Sequence, residues 1–100
     1  MRVMLHALID TQAGNEALKS GSLPKAMAAM MDALKPEAAY FGLDGGVRSC
    51  WMVFDLQDSS QMPPMLEDLF MQFNAEISVV PVMDREGLAK GLEQMKATPG

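Results

Sequence analysis

Near the middle of the chain, the segments Ala38 to Leu43 and Ser49 to Leu56 flank Asp44-Gly45-Gly46. Both flanks are rich in residues that suit extended backbone, and glycine supplies the positive φ that a hairpin turn requires. Any fold for this chain has to set these two strands side by side. Two further strands are expected. Val3, Leu5, Ala7 and Ile9 alternate with Arg2, Met4, His6 and Leu8, a two-residue period with one apolar side and one mixed side. Ile77 to Met83 is rich in valine, and Pro81, which cannot donate to a ladder, puts this strand at an edge or marks a bulge.

The connecting segments have helical spacing. Asp10, Thr11, Gly14 and Asn15 break the first strand, and Asn15 to Ser20 predicts a helical turn or two before Gly21. Ser22 suits an N-cap, and Leu23, Met27, Met30, Met31 and Leu34 predict a helix from about Leu23 to Lys35, ending before Pro36. Met62, Leu66, Leu69, Phe70 and Phe73 form a second amphipathic stripe, with caps at Asp58, Ser59 and Ser60 and a left-handed stop at Asn74. Asp84 opens a last helix bearing Leu88, Leu92 and Met95. The order is strand, helix, strand, strand, helix, strand, helix. This is an α+β chain with a split βαβ arrangement, βαββαβ plus a C-terminal helix, which is the ferredoxin-like pattern with a four-stranded antiparallel sheet. One domain over residues 1–96 and a flexible tail over 97–100 are expected.

Composition narrows the function classes. A net charge of −5 at pH 7 repels a phosphate backbone or an anionic surface, so nucleic acid is not an expected partner. No stretch approaches the ~20 apolar residues of a membrane span, and the apolar run from Arg2 to Ile9 is too short for a signal-peptide core. With the single cysteine, Cys50, no internal disulfide forms, which points to the cytoplasm. One histidine and one cysteine also disfavour a soft-metal site within one chain, so no metal is expected. The sequence has no P-loop, dinucleotide glycine fingerprint, CxxC or HExxH, so no cofactor is expected. Its eleven methionines fall mostly on helix faces that need burial, with Met4 and Met83 as the candidates for a pocket.

In a split βαβ sheet both crossover helices pack on one side. Strand parity assigns Val3, Leu5, Ala7, Ile9, Ala39, Phe41, Leu43, Cys50, Met52, Phe54, Leu56, Ile77 and Val79 to that covered side. The opposite side then carries Arg2, Met4, His6, Leu8, Tyr40, Gly42, Asp44, Trp51, Val53, Asp55, Ser78, Val80 and Val82. It is more apolar than a monomer usually leaves in one patch, so a second copy is expected to cover it. Interspersed polar groups make the enclosed space a pocket for a small organic ligand.

In element order, nearly the whole chain resembles the dimeric α/β-barrel superfamily, which includes muconolactone isomerase-like and antibiotic-biosynthesis monooxygenase-like proteins. Tyr40-Phe41, Arg48 to Asp55 ending in Val-Phe-Asp, and Val80-Pro81-Val82-Met83 resemble a branch of small bacterial proteins without an assigned reaction. The resemblance implies a homodimer whose two sheets form a barrel, with a pocket on the inner face of each. Where the monooxygenase-like members combine asparagine, tryptophan and histidine or arginine, this chain offers Trp51 and His6. Its asparagines, Asn15 and Asn74, fall at helix boundaries.

His6 is the one side chain with an ordinary pKa near neutrality, so acid-base catalysis would draw on it, with Asp55 on the same face to orient the imidazole. Either residue also has a structural reading, as a packed strand histidine and a strand-terminating carboxylate. Tyr40 and Trp51 provide flat walls suited to an aromatic ligand or to a dimer interface, with Met4 and Ser78 beside them. Arg48 offers a planar donor fork for a ligand carboxylate at the pocket mouth, or is solvated after the hairpin turn. Three functions remain: a ligand-binding dimer, a cofactor-independent isomerase, lyase or monooxygenase using His6 as base, and a purely structural dimer.

Overall fold

Asp10 sets where the first strand gives way to helix. In the computed structural model, which describes residues 1–97, its side chain accepts a hydrogen bond from Ala13 N–H at 2.9 Å. This cap starts α1 (Thr11–Ser20) directly after β1 (Arg2–Leu8), so the first helix is longer than the apolar spacing alone predicts. Gly21, with a φ of 84°, breaks the helix for one residue before α2 (Ser22–Leu34). Ser22 is therefore the first residue of α2 rather than its N-cap, and its hydroxyl turns back to Ala17 O. Lys35 ends α2 at a φ of 46°.

The hairpin forms where it is expected. β2 (Ala38–Asp44) and β3 (Val47–Asp55) are joined by Gly45 and Gly46, at φ values of 60° and 82°. Two successive positive φ angles are the signature of the two-residue turn whose twist matches its strands. Asp58 and Gln61 then cap each other's backbone in a short 3₁₀ turn, Ser59–Gln61, that leads into α3 (Met62–Phe73). Asn74 closes α3 at a φ of 48°, as the sequence predicts. β4 (Glu76–Pro81) is shorter than expected and ends on the proline, although Val82 N–H still bonds Arg2 O at 3.1 Å. Asp84 caps α4 (Arg85–Ala97) by accepting from Gly87 N–H at 2.8 Å. Of the expected tail, positions 98–100 lie outside the described residues.

All neighbouring strands are antiparallel, in the order β2-β3-β1-β4, which places β4 and its proline at an edge. This α+β arrangement is compatible with a ferredoxin-like fold. Val3, Leu5, Ala7, Cys50, Met52 and Phe54 from the central strands pack against Ala17, Met30, Leu69 and Phe73 from the helices. Phe41 and Leu43 correct the parity reading. They point to the helix side yet remain 57% and 69% exposed. The reason is position: both lie on β2, the edge strand that pairs only with β3, and Phe41 is exposed although Cys50 and Ala7 on its rung are buried, so the helices cover the inner strands and not this edge.

The described chain is elongated, with a longest dimension of 58 Å and a radius of gyration of 16.4 Å. A compact chain of this length has a radius of about 13 Å. Besides the hairpin end, α4 accounts for the excess, since its described side chains are exposed except at Gly87. No helix among the described residues is long and apolar enough to cross a membrane.

Candidate functional site

On the uncovered side of the sheet one rung holds Tyr40, Trp51, His6 and Ser78 side by side, because each is the register partner of the next. Cross-strand neighbours on one face sit about 5 Å apart, close enough for rings to touch. The His6 imidazole lies flat on the Trp51 indole, with centroids 4.7 Å apart and planes 11° apart. Met4 belongs to the next rung, between Val53 and Val80. Met4, His6 and Trp51 are half-buried, while Tyr40 and Ser78 are exposed.

The carboxylate beside His6 is Asp44, not Asp55. Asp44 Oδ2 lies 3.4 Å from His6 Nε2, within charge-pairing reach. The contact is too poorly aligned to be a hydrogen bond, and Nε2 is shut off from water without any hydrogen-bond partner. A buried polar atom in that condition costs about 1–3 kcal/mol, so the structure around it must hold it there. Strand parity already puts Asp44 on the face of His6. Parity cannot report the coiling of a two-stranded ribbon, which carries the end of β2 back over the face. Asp55 pairs in register with Arg2, four residues along β1 from His6, and binds the Met1 ammonium at 2.7 Å.

Arg48 is also corrected. Its side chain lies on the helix side, where it donates to Asn15 Oδ1 at 2.9 Å and Thr11 O at 3.4 Å. The guanidinium passes so close to Gly14 that a β-carbon there would stand 2.7 Å from Nη1. It fastens α1 to the turn end of the hairpin, since Arg48 pairs with Leu43 one rung short of the turn. Arg2, at the rim of the uncovered face, is held between Glu37 and Asp84. Its pKa is raised first by the hydrogen bond and charge of Glu37 and then by the charge of Asp84.

Cys50 is buried in the core, and burial pushes its thiol up despite a backbone hydrogen bond from Ala7 that works the other way. Such a thiol is a poor nucleophile. Among the described residues no three His, Cys, Asp or Glu side chains converge as metal ligands. A groove of about 550 Å³ lies between α2 and α3, bounded by Ala29, Met30, Ala33 and Met65. A hollow of about 240 Å³ lies among Leu8, Asp10, Val47 and Asn74. Neither includes His6, Tyr40 or Trp51, so neither is the pocket expected on the uncovered face. Met83 is exposed, outside both. Compared with known protein families and with curated proteins, the chain matches none.

Proposed function

We propose that the chain works as a cytoplasmic homodimer, two sheets meeting face to face as a dimeric α/β barrel, and binds a small, partly aromatic organic molecule between them. The rung of Tyr40, Trp51, His6 and Ser78 carries this reading, because it joins flat apolar surface to polar atoms on a face that no helix among the described residues covers. A planar ligand would extend the apolar surface of indole and imidazole, with the polar atoms of Tyr40 and Ser78 beside it. Native mass spectrometry of the purified protein tests this. The expected species is a dimer with added small-molecule mass, and His6→Ala and Tyr40→Ala each cut retention at least tenfold. Retention unaffected by His6→Ala would sink the site, and a dimer with nothing bound would favour the purely structural reading.

The closeness of His6 and Asp44 favours a second reading, a cofactor-independent isomerase, lyase or monooxygenase with His6 as base. Asp44 then takes the orienting role first given to Asp55. Turnover of the retained molecule, followed by its mass, should fall by about 10²-fold or more in Asp44→Asn if this reading holds. Turnover equal to the parent protein's removes Asp44 from the chemistry.

A further inference from the structure

Among the described residues, His6 Nε2 is the buried side-chain nitrogen without a hydrogen-bond partner, and it faces Asp44 Oδ2 at 3.4 Å. The flat side of the same ring rests on Trp51. A neutral imidazole gains little from either neighbour. An imidazolium gains from both, because the carboxylate becomes its counter-ion and the indole face attracts a cation. Since Nε2 is shut off from water, the added charge cannot be hydrated there and has to be met by the protein. A charge-assisted N–H···O bond is about 2.8 Å long, so meeting the charge means closing the gap.

The part that moves is small. Arg48, tied to Asn15 and Thr11, holds the rung it shares with Leu43. Past it stand the closing pair of Asp44 with Val47, and Gly45 and Gly46, whose backbone turns without a β-carbon to resist it. The Asp44 carboxylate has no second partner among the described residues. The other charged or titratable groups on the side that His6 faces are already engaged or stand further off. Asp55 on β3 binds the Met1 ammonium, and Arg2 on β1 is held between Glu37 and Asp84. Glu76 on β4 is exposed at the next rung, beside Leu8, and Tyr40 on β2 lies beyond Trp51. Carboxyl and phenol groups as classes titrate outside pH 5 to 7.5, whereas imidazole titrates inside it.

We infer that His6 and Asp44 form a pH-sensitive latch: protonation of the imidazole draws the hairpin turn down until Asp44 caps Nε2, and deprotonation lets the turn lift. The latch goes beyond the ligand reading and needs neither a ligand nor a second copy. It gives the turn end of the uncovered face one arrangement in acid and another near neutrality.

Amide hydrogen exchange by NMR tests the latch, on dilute protein and expressed as protection relative to an unstructured amide, so that the intrinsic pH dependence of exchange drops out. The amides of Asp44 and Val47 should be at least threefold better protected at pH 5 than at pH 7.5. Trp51 fluorescence records the protonation separately, since a stacked imidazolium quenches an indole, and should fall over the same interval. His6→Gln should remove both steps while leaving the Met1 ammonium in place. Asp44→Asn should keep the fluorescence step and lose the protection step. Protection of the closing pair that does not change with pH in the parent chain, or that still rises in Asp44→Asn, overturns the latch. A protection step that survives His6→Gln overturns it too. None of these readings depends on what the face binds, so failure of the ligand reading leaves them unmoved.

Discussion

Phe73 is fully buried where α3 ends beneath the sheet, and Cys50 lies in the same core. Truncating a buried phenylalanine removes its transfer energy and leaves a cavity, so Phe73→Ala should lower stability by about 3–5 kcal/mol in urea unfolding. A smaller loss would mean that the helices settle into the space. Cys50 should react with iodoacetamide at least ~100-fold more slowly in the native protein than in urea, because the thiol is both enclosed and held protonated. Rates within a few-fold of each other would place the thiol near solvent. At this scale much of the core was legible, since a two-residue period assigns each strand residue to a side and the register keeps that assignment. The partner of His6 was not, because Asp44 and Asp55 share its side and only the path of the hairpin distinguishes them.

The helix ends show where local chemistry wins over apolar spacing. Lys35 adopts left-handed backbone that a β-carbon disfavours by about 1 kcal/mol or more, whereas glycine accepts it. Lys35→Gly should raise stability by about 0.5–1 kcal/mol in urea, with a smaller gain for Asn74→Gly because asparagine tolerates this region better. No gain at Lys35 would show that its side chain contributes elsewhere. Asp84 is held below its ordinary value of 3.8, chiefly by the Gly87 N–H, with burial opposing and the charge of Arg2 adding to the lowering. A carboxyl lowered by folding stabilises fully above its unfolded value, and the contribution fades as pH falls through the folded one. Amide protection at Gly87 and Leu88 should therefore decline below about pH 3.8, and Asp84→Asn should abolish that step. A profile unchanged by Asp84→Asn would assign the cap to other groups. Sequence placed the Asn74 stop and the Asp84 cap correctly, but Asp10 starts α1 at Thr11, four residues ahead of the turn expected from Asn15, and so lengthened it unannounced.

For the whole molecule, element order and strand parity led to the observed sheet, including β4 at its edge, from particular punctuation such as Asp44-Gly45-Gly46 and Pro81. The exposure of Phe41 and Leu43 could not be read the same way, because it depends on how far the helices extend sideways to the edge strand β2. Trp51 is half-buried in the single chain and would be enclosed in a face-to-face dimer. Acrylamide quenching of its fluorescence should fall at least twofold as concentration rises through the dimerisation range. Quenching that stays constant across dimer formation would mean that the copies meet on another surface.

The guanidinium of Arg48, lodged against Gly14 and bonded to Asn15 and Thr11, anchors the hairpin one rung short of its turn. Only the pair of Asp44 with Val47 and the two glycines project past that anchor, and Asp44 is the residue that reaches the imidazole. The overhang that carries the carboxylate to Nε2 is thus short, and the grip on Arg48 limits how far Asp44 can stray.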